Sequence, residues 1–249
     1  MKKKYFIIAG ESSGDEHGSL LMKEMIRLNE NIIFDGIGGK KMENHGLSSL
    51  YNLDRMAVMG FVEVLKNYSF FKSVEKGVLH NIDNQKYHGV VLIDYPGFNL
   101  RIAKKIKTKY PELPIYYYIS PQIWAWKEDR IKIIKKYIDK MIVIFDFEKS
   151  WYKNKGVEAS FVGHPFIDLY QSIKKEKILS KLDFSEENKY ITLFPGSRQQ
   201  EINYHLPIML EALKDDFFKS FKILLGVAPE IKKDVFSSYD LKDIQIINH

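Results

Sequence analysis

An α/β fold with doubly wound parallel sheets in two domains is predicted by three features of the chain. Short apolar runs alternate with longer amphipathic ones; the apolar runs are continuous in Ile and Val rather than alternating; and a polar stretch interrupts the pattern two thirds of the way along. Continuous runs mark strands covered on both faces, and strand–helix alternation marks βαβ units. In order, Tyr5–Ala9, Ile32–Ile37, Val90–Ile93, Ile115–Ile119 and Met141–Phe145 read as strands, with Leu20–Leu28, Leu100–Lys109 and Arg130–Tyr137 as helices between them. A first domain is expected over 1–165, closing near Gly163-His164-Pro165, and a second over 166–249. Ser172–Lys189 is polar and charged and reads as a linker with a short helix. Strand Ile191–Phe194, helix Glu201–Leu213, strand Phe221–Val227, a Pro229-initiated helix and strand Ile244–Ile247 then follow. Three strands bury little core, so the second domain reads as cut short.

The 249 residues carry 38 Lys+Arg and 32 Asp+Glu, a net +6, with 45% hydrophobic and 28% charged residues. These are globular values and exclude disorder or a fibrous repeat. Without cysteine, disulfides and Cys-ligated metal sites are excluded. No apolar run reaches the roughly 18–20 residues of a membrane span, and the Tyr5–Ala9 run behind Lys2–Lys4 is too short for a signal-peptide core. A pI near 9.1 suits nucleic acid, an anionic membrane surface or an anionic substrate equally. The basic residues are scattered rather than gathered in one run, which argues against nucleic acid.

In open parallel sheets ligands bind beyond the carboxyl ends of the strands, so the segments that follow strands matter most. Gly10-Glu11-Ser12-Ser13-Gly14-Asp15 follows the first strand and combines tight-turn glycines, hydroxyls and a helix N-terminus; it also serves as a capping turn. Neither it nor Gly36-Ile37-Gly38-Gly39 completes a dinucleotide or P-loop fingerprint. Asp94 and Asn99, in DYPGFN, follow the most apolar strand; a carboxylate there is placed as a general base, or as a turn residue with Asn99 capping the next helix. Ser120-Pro121-Gln122-Ile123-Trp124-Ala125-Trp126-Lys127 offers indole faces for stacking, or for ordinary packing. Gly196, Ser197 and Arg198 after the strand at 191–194 put backbone N–H groups, a hydroxyl and a guanidinium together, which suits a diphosphate; the alternative is an Arg198–Glu201 surface pair. His17 and His164 line the expected cleft, and His164 with Asp168 lacks a third clustered ligand, so no metal is expected. From Met56 to Leu79 apolar residues exceed one helical stripe. Met59, Phe61, Val62, Leu65, Phe70 and Phe71, flanked by Lys66, Lys72 and Lys76, are expected at a lipid or membrane surface, with core helices as the plainer account.

Taken together, AGESSGD at 9–15, GIGG at 36–39, DYPGFN at 94–99, SPQIWAWK at 120–127, FEK at 147–149, VGHP at 162–165 and LFPGSR with Glu201 at 193–201 resemble the bacterial lipid-A-disaccharide synthase family. The resemblance implies a GT-B-like fold of two Rossmann-like domains, the first for acceptor and lipid and the second for UDP-sugar. It implies an inverting hexosyltransferase that moves 2,3-diacylglucosamine from UDP to the 6-hydroxyl of 2,3-diacylglucosamine 1-phosphate (lipid X). The product is a β-1,6-linked disaccharide of lipid A biosynthesis. It implies no cofactor or metal, and a peripheral position on the cytoplasmic side of the inner membrane of a Gram-negative bacterium; a homodimer is left open. By the same resemblance Asp94 is the base. Gly196, Ser197, Arg198 and Glu201 hold the UDP-sugar, and Glu11, Ser12, Ser13, Gly14, Asp15, Asn99, Ser120, Gln122, Trp124 and His164 line the acceptor side. The family continues well past residue 249, so the chain alone is not expected to turn over. The competing readings are another GT-B transferase or a UDP-sugar epimerase with a soluble substrate, or a non-catalytic lipid- or nucleotide-binding module.

Overall fold

The computed structural model describes residues 2–51, 53, 68–169, 184–185, 187–228 and 231–248. The chain divides into two compact units, Met1–Tyr170 and Gln171–His249.

The first unit runs β1 (Lys3–Ala9), α1 (Ser12–Leu28), β2 (Ile32–Ile37), α2 (Lys40–Glu43), β3 (Leu47–Ser49), α3 (Tyr68–Asn84), β4 (Gly89–Ile93), α4 (Pro96–Lys109) and β5 (Ile115–Tyr118). It continues with α5 (Ile131–Tyr137), β6 (Lys140–Val143), α6 (Asp146–Asn154), β7 (Ala159–Phe161) and α7 (Pro165–Leu169). Among the described residues its seven strands pair in parallel in the order β3-β2-β1-β4-β5-β6-β7. The order reverses direction between β1 and β4, the switch point where a doubly wound sheet opens a crevice.

Both faces of the sheet are covered, which is why its central strands carry continuous apolar runs such as Tyr5–Ala9 and Gly89–Ile93. Phe6 and Ile8 of β1 join the core that contains Val74 and Val78 of α3 and Ile102 and Ile106 of α4. Ile7 and Ala9, on the opposite face, join Met22 of α1 and Met42 of α2. Every residue of β4 is buried. At about 25 cal/mol per Å² of apolar surface, burying such side chains contributes roughly 1.5–3 kcal/mol each, so the two cores fix the strand register.

Three sequence expectations need revision here. β3 and β7 were not expected: each has three residues and lies at a sheet edge, too short to show a pattern. Phe71 is no surface contact, because it is 3% exposed in the core beside Phe98, with ring centroids 6.2 Å apart. Phe70 is half-buried, its ring edge-on to Phe71 and to Tyr51. The other expected lipid contacts, Met59, Phe61, Val62 and Leu65, lie outside the described residues.

The second unit contains β8 (Lys189–Leu193), α8 (Gln199–Ala212), β9 (Phe221–Val227) and β10 (Ile244–Asn248). Its parallel sheet has the order β10-β9-β8. One face is covered by Ile202 and Leu206 of α8, packed with Leu225, Val227 and Phe236. Pro229 of the expected helix lies outside the described residues; Lys233–Phe236 forms a short 3-10 turn.

Candidate functional site

Because all seven strands are parallel, their carboxyl ends share one edge. Ala9 pairs with Ile93 in the register of β1 and β4, so the loops that follow, 10–15 and 94–99, begin side by side at the switch point. Glu11 is close enough to act electrostatically on Asp94.

The Asp94 loop is held in an unusual backbone form. Asp94 (φ 41°) and Tyr95 (φ 48°) are both left-handed although neither is glycine, a conformation that costs about 1–3 kcal/mol per residue and persists only where surroundings impose it. Those surroundings are identifiable. The Tyr117 hydroxyl donates to the Asp94 carbonyl at 2.6 Å, and Asn99 Nδ2 donates to the carbonyls of Asp94 and Ile93 at 2.7 and 3.1 Å. The Tyr95 ring lies over Gly10, where a Cβ would meet ring carbons at 2.2–2.6 Å. Glycine at position 10 is therefore required by close approach. Asn99, 0% exposed, does not face the crevice as expected; it acts on the backbone that presents Asp94.

Burial pushes the Asp94 carboxyl up to about 6; the Glu11 charge adds to the rise, and a hydrogen bond from the Tyr95 backbone opposes it. A carboxylate near 6 is mostly ionised at neutral pH yet basic enough to accept a proton, the property wanted of a general base. The neighbouring Tyr95 hydroxyl is raised to about 12, again chiefly by burial, so it stays protonated.

Asp15 is also turned away from its expected role. Its carboxylate accepts from the backbone N–H groups of Gly39 (2.8 Å), Lys41 (3.1 Å) and Met42 (3.0 Å), and the residue is buried. It pins the GIGG turn after β2 to the start of α1. Gly14, buried as well, has its Cα against Ala9, where a Cβ would stand 3.2 Å from the Ala9 Cβ. Ser12 and Ser13 remain exposed in the first turn of α1, and Glu11 is half-buried just before it. His17, one turn on, has its pKa lowered by burial, with Glu16 opposing and His164 adding to the fall. The helix start after β1 and the VGHP segment after β7 thus lie within electrostatic reach of each other.

Beyond the end of β5, Ser120 is buried and Gln122 and Trp124 are exposed. Glu148, on α6, accepts hydrogen bonds from Ser120 Oγ and Trp124 Nε1. His164 is half-buried; its ring stacks on Phe166 at 5.2 Å, and its Nδ1 accepts from the Phe166 N–H. Among the described residues no group of three or more His, Asp or Glu side chains is placed to hold a metal ion. Glu148 and Tyr117 were missed as contributors. Glu148 falls in the FEK motif but reads locally as a first-turn helix acid, and Tyr117 reads as one more strand aromatic.

In the second unit, Gly196 (φ 133°) turns the chain after β8 into α8. The backbone N–H groups of Ser197 and Arg198 do point inward, but they donate to Glu201 Oε2 at 2.9 and 3.2 Å. Arg198 Nη1 donates to Glu201 Oε1 at 3.1 Å. Glu201 thus caps the start of α8, and the surface-pair alternative describes the geometry observed. The Ser197 N–H, with Arg198 as the further donor, holds its carboxyl below the usual range. What the loop offers an anion is the same set of donors, in competition with Glu201.

The sequence profile of the lipid-A-disaccharide synthetase family matches residues 5–248. The chain belongs to that family. It is 44% identical over 209 residues to lipid-A-disaccharide synthase 1 of Legionella pneumophila strain Paris, covering 84% of this chain and 54% of that one. It is 36% identical over 250 residues to the lipid-A-disaccharide synthase of Coxiella burnetii strain Dugway, covering 99% and 66%. The Geobacter metallireducens enzyme of the same name is 38% identical over 232 residues, covering 92% and 60%. The chain therefore spans between about half and two thirds of the length of these relatives. Among solved structures, UDP-GlcNAc 2-epimerase from Neisseria meningitidis, bound to UDP-GlcNAc, matches with TM-score 0.60 at 10% identity, over 100% of this chain and 72% of that one. The Methanocaldococcus jannaschii UDP-GlcNAc 2-epimerase matches with TM-score 0.59 at 13% identity, over 100% and 73%. At such identities the likeness shows the fold alone, the GT-B-like class expected of two Rossmann-like parallel-sheet units.

Proposed function

We propose that the protein carrying this chain is an inverting hexosyltransferase that transfers 2,3-diacylglucosamine from UDP to the 6-hydroxyl of 2,3-diacylglucosamine 1-phosphate. Membership of the lipid-A-disaccharide synthetase family supports the reaction class. The observation that carries the mechanism is Asp94, half-buried at the switch point with its pKa raised to about 6 by desolvation. In this reading the Asp94 carboxylate takes the acceptor hydroxyl proton as the oxygen attacks the anomeric carbon. The bond from that carbon to the diphosphate breaks on the opposite face, and UDP leaves with the electron pair. At pH 7 a group with that pKa is mostly ionised, so the base is ready before substrate binds.

The first unit takes the acceptor, with Glu11, Ser12 and Ser13 beside Asp94 and with Gln122, Trp124 and His164 further along the same edge. Gly14, Asp15, Asn99 and Ser120 shape these loops from beneath. The second unit takes the UDP-sugar: Arg198, Ser197 and the N–H groups after Gly196 neutralise the departing diphosphate once Glu201 yields them. The net charge of +6 favours phosphorylated substrates on an anionic leaflet. Among the described residues no helix is long and apolar enough to cross a membrane, and a peripheral position is proposed.

The test is transfer between UDP-2,3-diacylglucosamine and lipid X by the full-length protein and by its Asp94→Asn variant. Disaccharide 1-phosphate from the wild type, abolished in the folded variant, supports the reading. Wild-type rates in Asp94→Asn remove Asp94 as base. Release of an epimerised sugar, or binding without turnover, replaces the transferase altogether.

A further inference from the structure

Glu148 is a carboxylate taken almost wholly out of water, with 1% of its surface exposed. Such a group persists where hydrogen bonds replace its hydration. Its Oε1 accepts from Ser120 Oγ at 2.6 Å and from Trp124 Nε1 at 3.2 Å, and its Oε2 accepts from the Phe145 N–H at 3.2 Å. The three donors come from the segments that leave β5 and β6, so a single side chain ties two neighbouring strand ends together.

What it ties down is a row of rings. Trp124 stands edge-on to Phe147 at 5.0 Å; Phe147 stacks on Phe145 at 5.9 Å; Phe145 leans on His164 at 5.4 Å; and His164 stacks on Phe166 at 5.2 Å. The row crosses the carboxyl edge from the end of β5 to the end of β7. Its members stay open to solvent, Trp124 at 37%, Phe147 at 49% and Phe166 at 66% exposed. Flat exposed rings, ordered by a buried anchor, suit a ligand with apolar C–H faces. The row begins one strand over from Asp94, since β4 and β5 are neighbours with Ile93 opposite Tyr118.

We propose that Glu148 is a positioning residue for acceptor binding: it fixes Trp124 and Phe145 so that the ring row forms a wall against the pyranose of an acylated sugar 1-phosphate. The inference rests on the transferase reading above for the identity of the ligand. Glu148 touches no substrate itself. Its effect passes through ring placement, and it acts on binding rather than on the proton transfer at Asp94.

The experiment uses the full-length protein with Trp126→Phe and Trp151→Phe, which leaves Trp124 as the only indole of this chain, and lipid X as probe. Glu148→Ala should raise KM for lipid X roughly tenfold with kcat within about twofold, and should make Trp124 more readily quenched by acrylamide. Glu148→Gln should recover much of both, because its amide oxygen still accepts from Ser120 and Trp124. A folded Glu148→Ala protein with unchanged KM, or one that loses kcat alone, overturns the proposal. If that variant does not fold, Ser120→Ala and Trp124→Phe take its place; each should raise KM with kcat kept, and unchanged KM in both overturns the idea. If the wild type transfers nothing, the transferase reading fails separately. Protection of Trp124 from quenching by lipid X, present in the parent and lost on Glu148→Ala or Ser120→Ala, still supports the positioning role, and its absence in the parent defeats it.

Discussion

The segments after β4 and after β8 both leave the carboxyl end of a parallel strand, the first inside its sheet and the second at an edge, and both bring an acid with them, yet their surroundings drive the two acids in opposite directions. After β4 the backbone is forced left-handed at Asp94 and Tyr95 and clasped by Tyr117 and Asn99, and burial raises the acid to about 6. After β8 the turn relies on a glycine, the helix start lies at the surface, and N–H donors lower the pKa of Glu201. A group that must accept a proton benefits from desolvation and a rigid setting. A loop that must exchange one anion for another benefits from exposed donors that a weakly held carboxylate can give up.

The sharpest break in that comparison is chemical. Asp94→Asn keeps a side chain that tolerates the left-handed backbone but removes the proposed base, so transfer by the full-length protein should fall by about 10³-fold while Glu201→Gln retains it. In the wild type, kcat/KM should rise with pH and level off above about 6, the value set by burial and Glu11.

Next in size is the support beneath the base. Asn99→Ala removes donors to the Ile93 and Asp94 carbonyls at a position with no solvent access. It should cost about 2–3 kcal/mol by denaturant unfolding, and an unchanged midpoint would mean the clasp is not needed. Gly10→Ala should destabilise by about 1–3 kcal/mol, because the Tyr95 ring must move, and should reduce transfer with it.

Asp94 itself costs stability. Its carboxyl holds a proton more tightly in the folded chain than in the unfolded one. The stability of the neutral form is therefore fully present below pH about 4 and is lost as pH rises through about 6. Asp94→Asn should accordingly be more stable than wild type by about 1–2 kcal/mol at pH 7.5, with the difference vanishing near pH 4. Chemical denaturation at the two pH values reads it directly.

The smallest effect belongs to Glu201. Its lowered pKa makes its cap favourable above the ordinary glutamate range, and that contribution is lost as pH falls through the depressed value. Since the group is largely solvated, Glu201→Gln should cost less than about 1 kcal/mol. If diphosphate displaces Glu201, the same substitution should tighten UDP binding, measured by calorimetry; weaker binding would mean that Glu201 assists the ligand.

The sequence by itself determined the α/β class, the parallel sheets and the placement of Asp94 at a strand end. Those follow from periodicity over a few residues, and a strand covered on both faces cannot disguise a run such as Gly89–Ile93. It also named the polar residues of the strand-end loops without deciding their partners. Asp15 finds its donors 24 to 27 residues away, and Glu148 finds Ser120 at a separation of 28. Only the tertiary structure decided that Asp15 pins a turn, that Asn99 serves the backbone, that Phe71 is core and that Glu148 anchors a row of rings. Local pattern tells a polar side chain that it lies at the edge of a sheet. Which lone pair meets which N–H depends on how neighbouring strands bring distant segments together.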